Sequence, residues 1–108
     1  MTMTEKSRSN GYNPSILQQD ECCYLCGRMD RKLDRHEIFG GAYRQKSKEY
    51  GLWVLLCHED CHEGRHGVHG DPANARWLKR RAQTAAMVTY GWSIEDFREV
   101  FGKNFLEV

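Results

Sequence analysis

The sequence predicts a small α+β domain, with two short strands and a cysteine-bearing turn in its first half and two helices in its second. Three observations carry this reading. The run "GLWVLLC", Gly51 to Cys57, is apolar, partly β-branched or aromatic, and too short for a buried helix. Residues 71–91 open and close with helix start and stop signals. Two thiol pairs, Cys23-x2-Cys26 and Cys57-x3-Cys61, have the spacing of a metal knuckle.

Residues 1–14 are polar, with Gly11 and Pro14 near their end, and are expected to be flexible; a single domain is expected over 15–108. "PSILQQDE" reads as one short helical turn. "CCYLCGRMDRKL" reads as a tight turn, in which Gly27 supplies the positive φ that such turns need. A first strand over Leu33 to Phe39 ends at Gly40 and Gly41, and "GGAYRQKSKEYG" is the loop joining it to the second strand in a hairpin-like pair. In "HEDCHEGRHGVHG" the first residues suit a helical turn, whereas Gly64, Gly67 and Gly70 argue against a long regular helix.

The clearest helix has Asp71 as N-cap, Pro72 at its first position and Gly91 as its stop. Leu78, Ala82, Ala85 and Thr89 are expected on its buried face, with Arg76, Lys79 and Arg80 on another. The last helix begins at Ser93, with Asp96 completing a capping box, Trp92 stapling against Phe97, and Gly102 ending it. Phe97 and Phe101 are expected in the core.

At 108 residues the chain can bury only a modest core, so five cysteines and five histidines suggest that a metal helps hold it together. No apolar segment near the start reads as a secretion signal and none approaches spanning length, so the expected location is the cytoplasm, without membrane association. In a reducing compartment, closely spaced thiols are metal ligands more often than disulfides, and an odd count argues against full pairing. Structural zinc on Cys23, Cys26, Cys57 and Cys61 is therefore the leading reading. Cys22 competes through a Cys22-x3-Cys26 pair, and four buried thiols without metal is the other alternative. A thioredoxin-like redox role lacks its βαβ setting.

The net charge of +1 announces no nucleic-acid partner. Local clusters say more: Arg44 and Lys46 lie in one basic stretch and Arg76, Lys79 and Arg80 in another, and these five are the candidate phosphate contacts.

The order of "CYLCG", "DRHEIFGG" and "LWVLLCHEDCH" resembles the HNH nuclease superfamily, and more closely its small phage and bacterial members, over about Ser15 to Phe105. The resemblance implies a ββα-metal core propped by the zinc knot. It assigns His36 as general base, His62 as a ligand of a catalytic divalent metal, and His69, or else His66, as the second ligand. The chemistry agrees, because activating water near neutral pH suits histidine, and a cation held by imidazoles offsets charge on the phosphodiester. Mg2+, Mn2+, Co2+ or Ni2+ is the expected ion. DNA is the expected substrate, with RNA left open, and a phage or recombination protein as partner follows from the resemblance alone.

Two positions depart from the family pattern. Arg35 stands where an Asp or His ligand precedes the base, and a guanidinium cannot bind a cation, so Arg35 is assigned to the scissile phosphate. Asp34, one residue back, would replace that ligand only through a bulge. Leu52 falls near the position of the family's middle Asn. The alternative is thus a zinc-stabilised nucleic-acid or protein-binding module whose chemistry has lapsed. His58 is read as surface, or as an outer neighbour of the zinc.

Overall fold

Two five-residue strands, β1 (Leu33–Glu37) and β2 (Trp53–Cys57), pair antiparallel with Leu33 opposite Cys57 and Glu37 opposite Trp53. The computed structural model describes residues 11–106, and the helices are α1 (Arg44–Glu49), α2 (Pro72–Tyr90) and α3 (Ile94–Phe101). The result is a small α+β fold with a ββα-like core, a cysteine cluster suited to a zinc knuckle, and two C-terminal helices. No helix among the described residues is long and apolar enough to cross a membrane.

The helix signals act where the sequence places them. The Asp71 side chain accepts from the Ala73 N–H at 2.9 Å, Pro72 fills the first turn, and Gly91 turns left-handed at φ 68°. At Ser93 the hydroxyl accepts from the Asp96 N–H while the Asp96 carboxylate accepts from the Ser93 N–H, so two end donors that α3 cannot satisfy find partners. Trp92 lies 6.4 Å from Phe97 and packs more closely on Tyr50, at 5.1 Å.

Three local expectations are corrected. Arg44–Glu49, expected as loop, is helical: it has no apolar periodicity to betray it, and a 3-10 turn over Gly41–Tyr43 leads into it. Buried Ser47 fixes it, donating to the Phe39 carbonyl at 2.8 Å and accepting from the Phe39 N–H at 3.0 Å. "PSILQQDE" forms no helical turn but an extended segment bent at Ile16 and Leu17, because the Ser15 hydroxyl accepts from the N–H groups of Leu17 and Gln18. The buried face of α2 is Leu78, Ala82, Gln83 and Ala86 rather than Ala85 and Thr89. Buried Gln83 donates to the Asn104 side chain and accepts from the Phe105 N–H, folding the C-terminal segment back over the helix.

Of the segment expected to be flexible, residues 1–10 lie outside the described residues. Tyr12 and Asn13 are held: Asn13 donates its N–H to Lys48 O and accepts from the Trp53 indole, and the Tyr12 hydroxyl donates to Glu37. The residues that follow close the outer edge of β2, where Ser15 Oγ donates to Trp53 O and the Leu55 N–H donates to Gln18 Oε1. An edge strand satisfied in this way offers no template for another chain. The core lies on the other side of the sheet, where Val54, Leu56, Leu78, Ala82 and Ala86 meet the aromatic group Phe39, Phe97 and Phe101.

Candidate metal centre

Alternation along β1 decides which side chains reach the centre. Asp34 and His36 share the face of their pairing partners Leu56 and Val54, both fully buried, while Leu33, Arg35 and Glu37 point the other way. β2 then runs into a single π-helical turn, His58–His62, closed by the Glu63 N–H donating to His58 O at 2.9 Å. The wider turn separates consecutive residues: Cys61 joins the thiols and His62 joins the imidazoles.

Beyond the turn the chain doubles back. The N–H groups of Val68 and His69 donate to the carbonyls of Cys61 and His62, at 2.9 and 3.3 Å, which lays the 67–70 loop against the turn. Close packing there depends on glycine, since a Cβ at Gly67 would sit 2.6 Å from the carbonyl oxygens of Asp60 and Cys61. His69 is thereby brought to His62, with ring centroids 4.7 Å apart and Nε2 to Nε2 at 3.1 Å. His36 stands edge-on to both, at 5.2 and 5.3 Å. Potential ligand atoms of His36, His62 and His69 all fall within 4.8 Å of one another.

Protonation follows from the hydrogen bonds. Asp34 Oδ2 lies 2.9 Å from His62 Nδ1 and 2.5 Å from His58 Nδ1. Burial raises the Asp34 pKa, but hydrogen bonds from His62 and His58 outweigh it and keep the group below the usual carboxylate range. An ionised carboxylate only accepts, so both Nδ1 atoms carry hydrogen, and Nε2 is the His62 ring atom that faces His69. Two imidazole nitrogens on adjacent corners of one ion, with bonds of about 2.1 Å, lie about 3.0 to 3.4 Å apart, so this donor pair fits a shared ion. Burial, reinforced by His62 and His69, holds the His36 pKa down to about 4, which leaves that ring neutral near pH 7.

The four predicted thiols, Cys23, Cys26, Cys57 and Cys61, also gather within 4.8 Å. Cys26 and Cys57 sulfurs are 3.8 Å apart, close to the roughly 3.8 Å edge of a tetrahedron with 2.3 Å zinc–sulfur bonds. Burial pushes the Cys23 thiol up, yet N–H groups of Cys26, Cys57 and Leu25 prevail and bring it down to about 6. Burial and the neighbouring thiols raise Cys61 and Cys26. One thiolate forms readily, and Cys26 and Cys61 ionise beside it only if a cation shares the charge. Gly27, at φ 80°, donates its N–H to Cys23 O and so makes the turn between the first pair. Cys22 stands outside the cluster.

Other expected site residues lie elsewhere. Neighbours on a regular strand face opposite ways, so with His36 inward the Arg35 guanidinium lies over Tyr12 and Trp53, 4.6 and 5.5 Å from their ring centroids. His66 lies apart from the imidazole cluster, because i, i+4 neighbours share a face only on a continuing helix. The chain turns after His62, and His66 is exposed, its carbonyl accepting from Asn74 Nδ2. Leu52 is fully buried in the core. Arg44 pairs with Glu37 and Lys46 Nζ donates to Val100 O. Lys79 lies near Phe105, while Arg76 and Arg80 line a shallow groove on the outer side of α2. Asp34 and His58 were not expected as partners of the imidazoles. The signal for Asp34 was its two-residue offset from His36.

The ββα core, the histidine and aspartate cluster and the four-cysteine knuckle are together consistent with an HNH-type ββα-metal architecture. The chain matches no protein-family model, no curated protein and no solved structure.

One prediction arises directly. Asp34→Asn should weaken divalent-metal binding by about 10- to 100-fold, because it removes the anion that fixes the His62 tautomer. Arg35→Asp should leave metal affinity unchanged, since residue 35 faces away. Calorimetric titration of zinc-loaded protein with Mn2+ reads both, and tighter binding by Arg35→Asp would contradict the placement of that residue.

Proposed function

We propose that this chain is a metal-dependent endonuclease of the HNH type that hydrolyses phosphodiester bonds in DNA. The observation that supports this best is the convergence of His36, His62 and His69 beside Asp34, at the end of a ββα core. His62 and His69 would hold one divalent ion, which when bound supplies positive charge against the phosphate oxygens. His36 performs the proton chemistry: its neutral ring takes a proton from the attacking water, and an arriving phosphodiester anion raises its pKa toward the working range. Lys79 lowers the His36 pKa by its charge, and the same charge would attract an incoming phosphate. Asp34 and His58 orient the metal-facing imidazole.

Two imidazoles and no carboxylate form a ligand set poor in oxygen. Mg2+ prefers oxygen, so Mn2+, Co2+ or Ni2+ should support cleavage at lower concentration. Nicking of supercoiled plasmid across titrations of these four ions tests the reading. A second reading, a zinc-stabilised binding module without chemistry, draws on Leu52, whose burial in the core leaves no polar group at the middle position of the family pattern. Absence of cleavage with every ion, with zinc bound and the fold intact, would select it.

A further inference from the structure

We infer that the outer face of α2 is a docking surface for single-stranded DNA, distinct from the imidazole cluster; its choice of DNA rests on the nuclease reading above. Over its 19 residues α2 carries Arg76, Lys79, Arg80 and Arg81 and no Asp or Glu. None of these four cations joins an ion pair among the described residues. Between them Trp77 is 46% exposed, in a shallow groove lined also by Arg76, Arg80 and Val88. The indole is not loose. The Arg81 guanidinium lies 5.2 Å from the Trp77 ring centroid and 5.9 Å from that of Tyr24, and its Nε donates to the Tyr24 hydroxyl at 3.0 Å.

A ligand must satisfy both the charge and the ring. An apolar protein partner would bury the arginines without counter-charges, at a prohibitive desolvation cost. An acidic peptide would pair with the arginines and leave the indole idle. Duplex DNA would do the same, because its base faces are stacked inside the helix. An unpaired strand supplies phosphates for Arg76, Arg80 and Arg81 together with base faces for Trp77, and base–aromatic stacking of this kind does not depend on sequence.

Titration of the zinc-loaded full chain with a fluorescent 20-residue oligo(dT), without added divalent metal, reads binding by anisotropy and does not depend on cleavage. The single strand should bind at least tenfold more tightly than a 20-base-pair duplex at equal salt. Trp77→Ala should weaken it about tenfold, with Trp77→Phe in between. Arg76→Ala with Arg80→Ala should flatten the slope of log affinity against log salt by about 1.4, two phosphates at about 0.7 each. Equal or tighter binding of duplex, tighter binding of oligo(U) RNA, no binding, or a loss of less than threefold in Trp77→Ala would each overturn the inference. Failure of nicking alone would count against the nuclease reading and leave this surface standing.

Discussion

Cys57→Ser is expected to abolish folding. Cys57 is fully buried at the end of β2, so its sulfur couples the sheet to the thiol cluster. Metal binding in a small domain of this kind contributes on the order of 10 kcal/mol to folding, comparable to the entire stability of an ordinary domain. The damage should spread, because Cys61 and His62 are joined by one peptide bond and serve different clusters. A chain that loses its knuckle should also lose its imidazole site. Elemental analysis should find one zinc per wild-type chain, and removing it by chelation should erase the circular dichroism of the helices. Cys22→Ser, outside the cluster, should shift stability by no more than about 0.5 kcal/mol. Wild-type protein that is metal-free yet fully folded would refute the zinc assignment.

His36→Ala is expected to lower nicking by about 100- to 10,000-fold while leaving DNA affinity and zinc content unchanged. A general base contributes in the transition state and little to the ground state, so its loss should appear in the rate and not in binding. His62→Ala should differ in kind. It removes a metal ligand, and part of its activity should return at high Mn2+. The two variants therefore separate proton transfer from ion holding. If His36→Ala also raises the Mn2+ concentration needed for half-maximal cleavage, His36 is a third ligand rather than the base; equal rates in wild type and variant would remove it from the site altogether.

Much of the two clusters was legible because their donor side chains come from local patterns. The two thiol pairs, the histidine before two glycines and the histidine after Cys61 each announce themselves within a few residues. The helix ends were equally readable, since a cap is decided by side chains next to the backbone they satisfy. What was missed depends on facing. Asp34 was expected to serve only through a bulge, as a stand-in for residue 35, whereas period-two alternation on a regular strand already places 34, not 35, beside His36. His66 looked plausible on a helix, and a π turn followed by a reversal denied it that geometry. α1 escaped notice because one buried serine, not an apolar stripe, anchors it. Gln83 likewise belongs to the core only because the C-terminal segment returns to satisfy its amide.

Gly67 carries no donor atom, yet it sets a dimension. With backbone lying directly on the carbonyls of Asp60 and Cys61, the span between the rings of His62 and His69 equals the thickness of bare peptide, as a shim fixes the gap between two jaws. Any side chain there is a thicker shim. In a deep mutational scan, position 67 should therefore sort with the histidines it separates and not with an open loop glycine such as Gly40, beside which an added methyl meets nothing within 4 Å. The spacing of the two imidazoles is then written partly in a residue that carries neither of them.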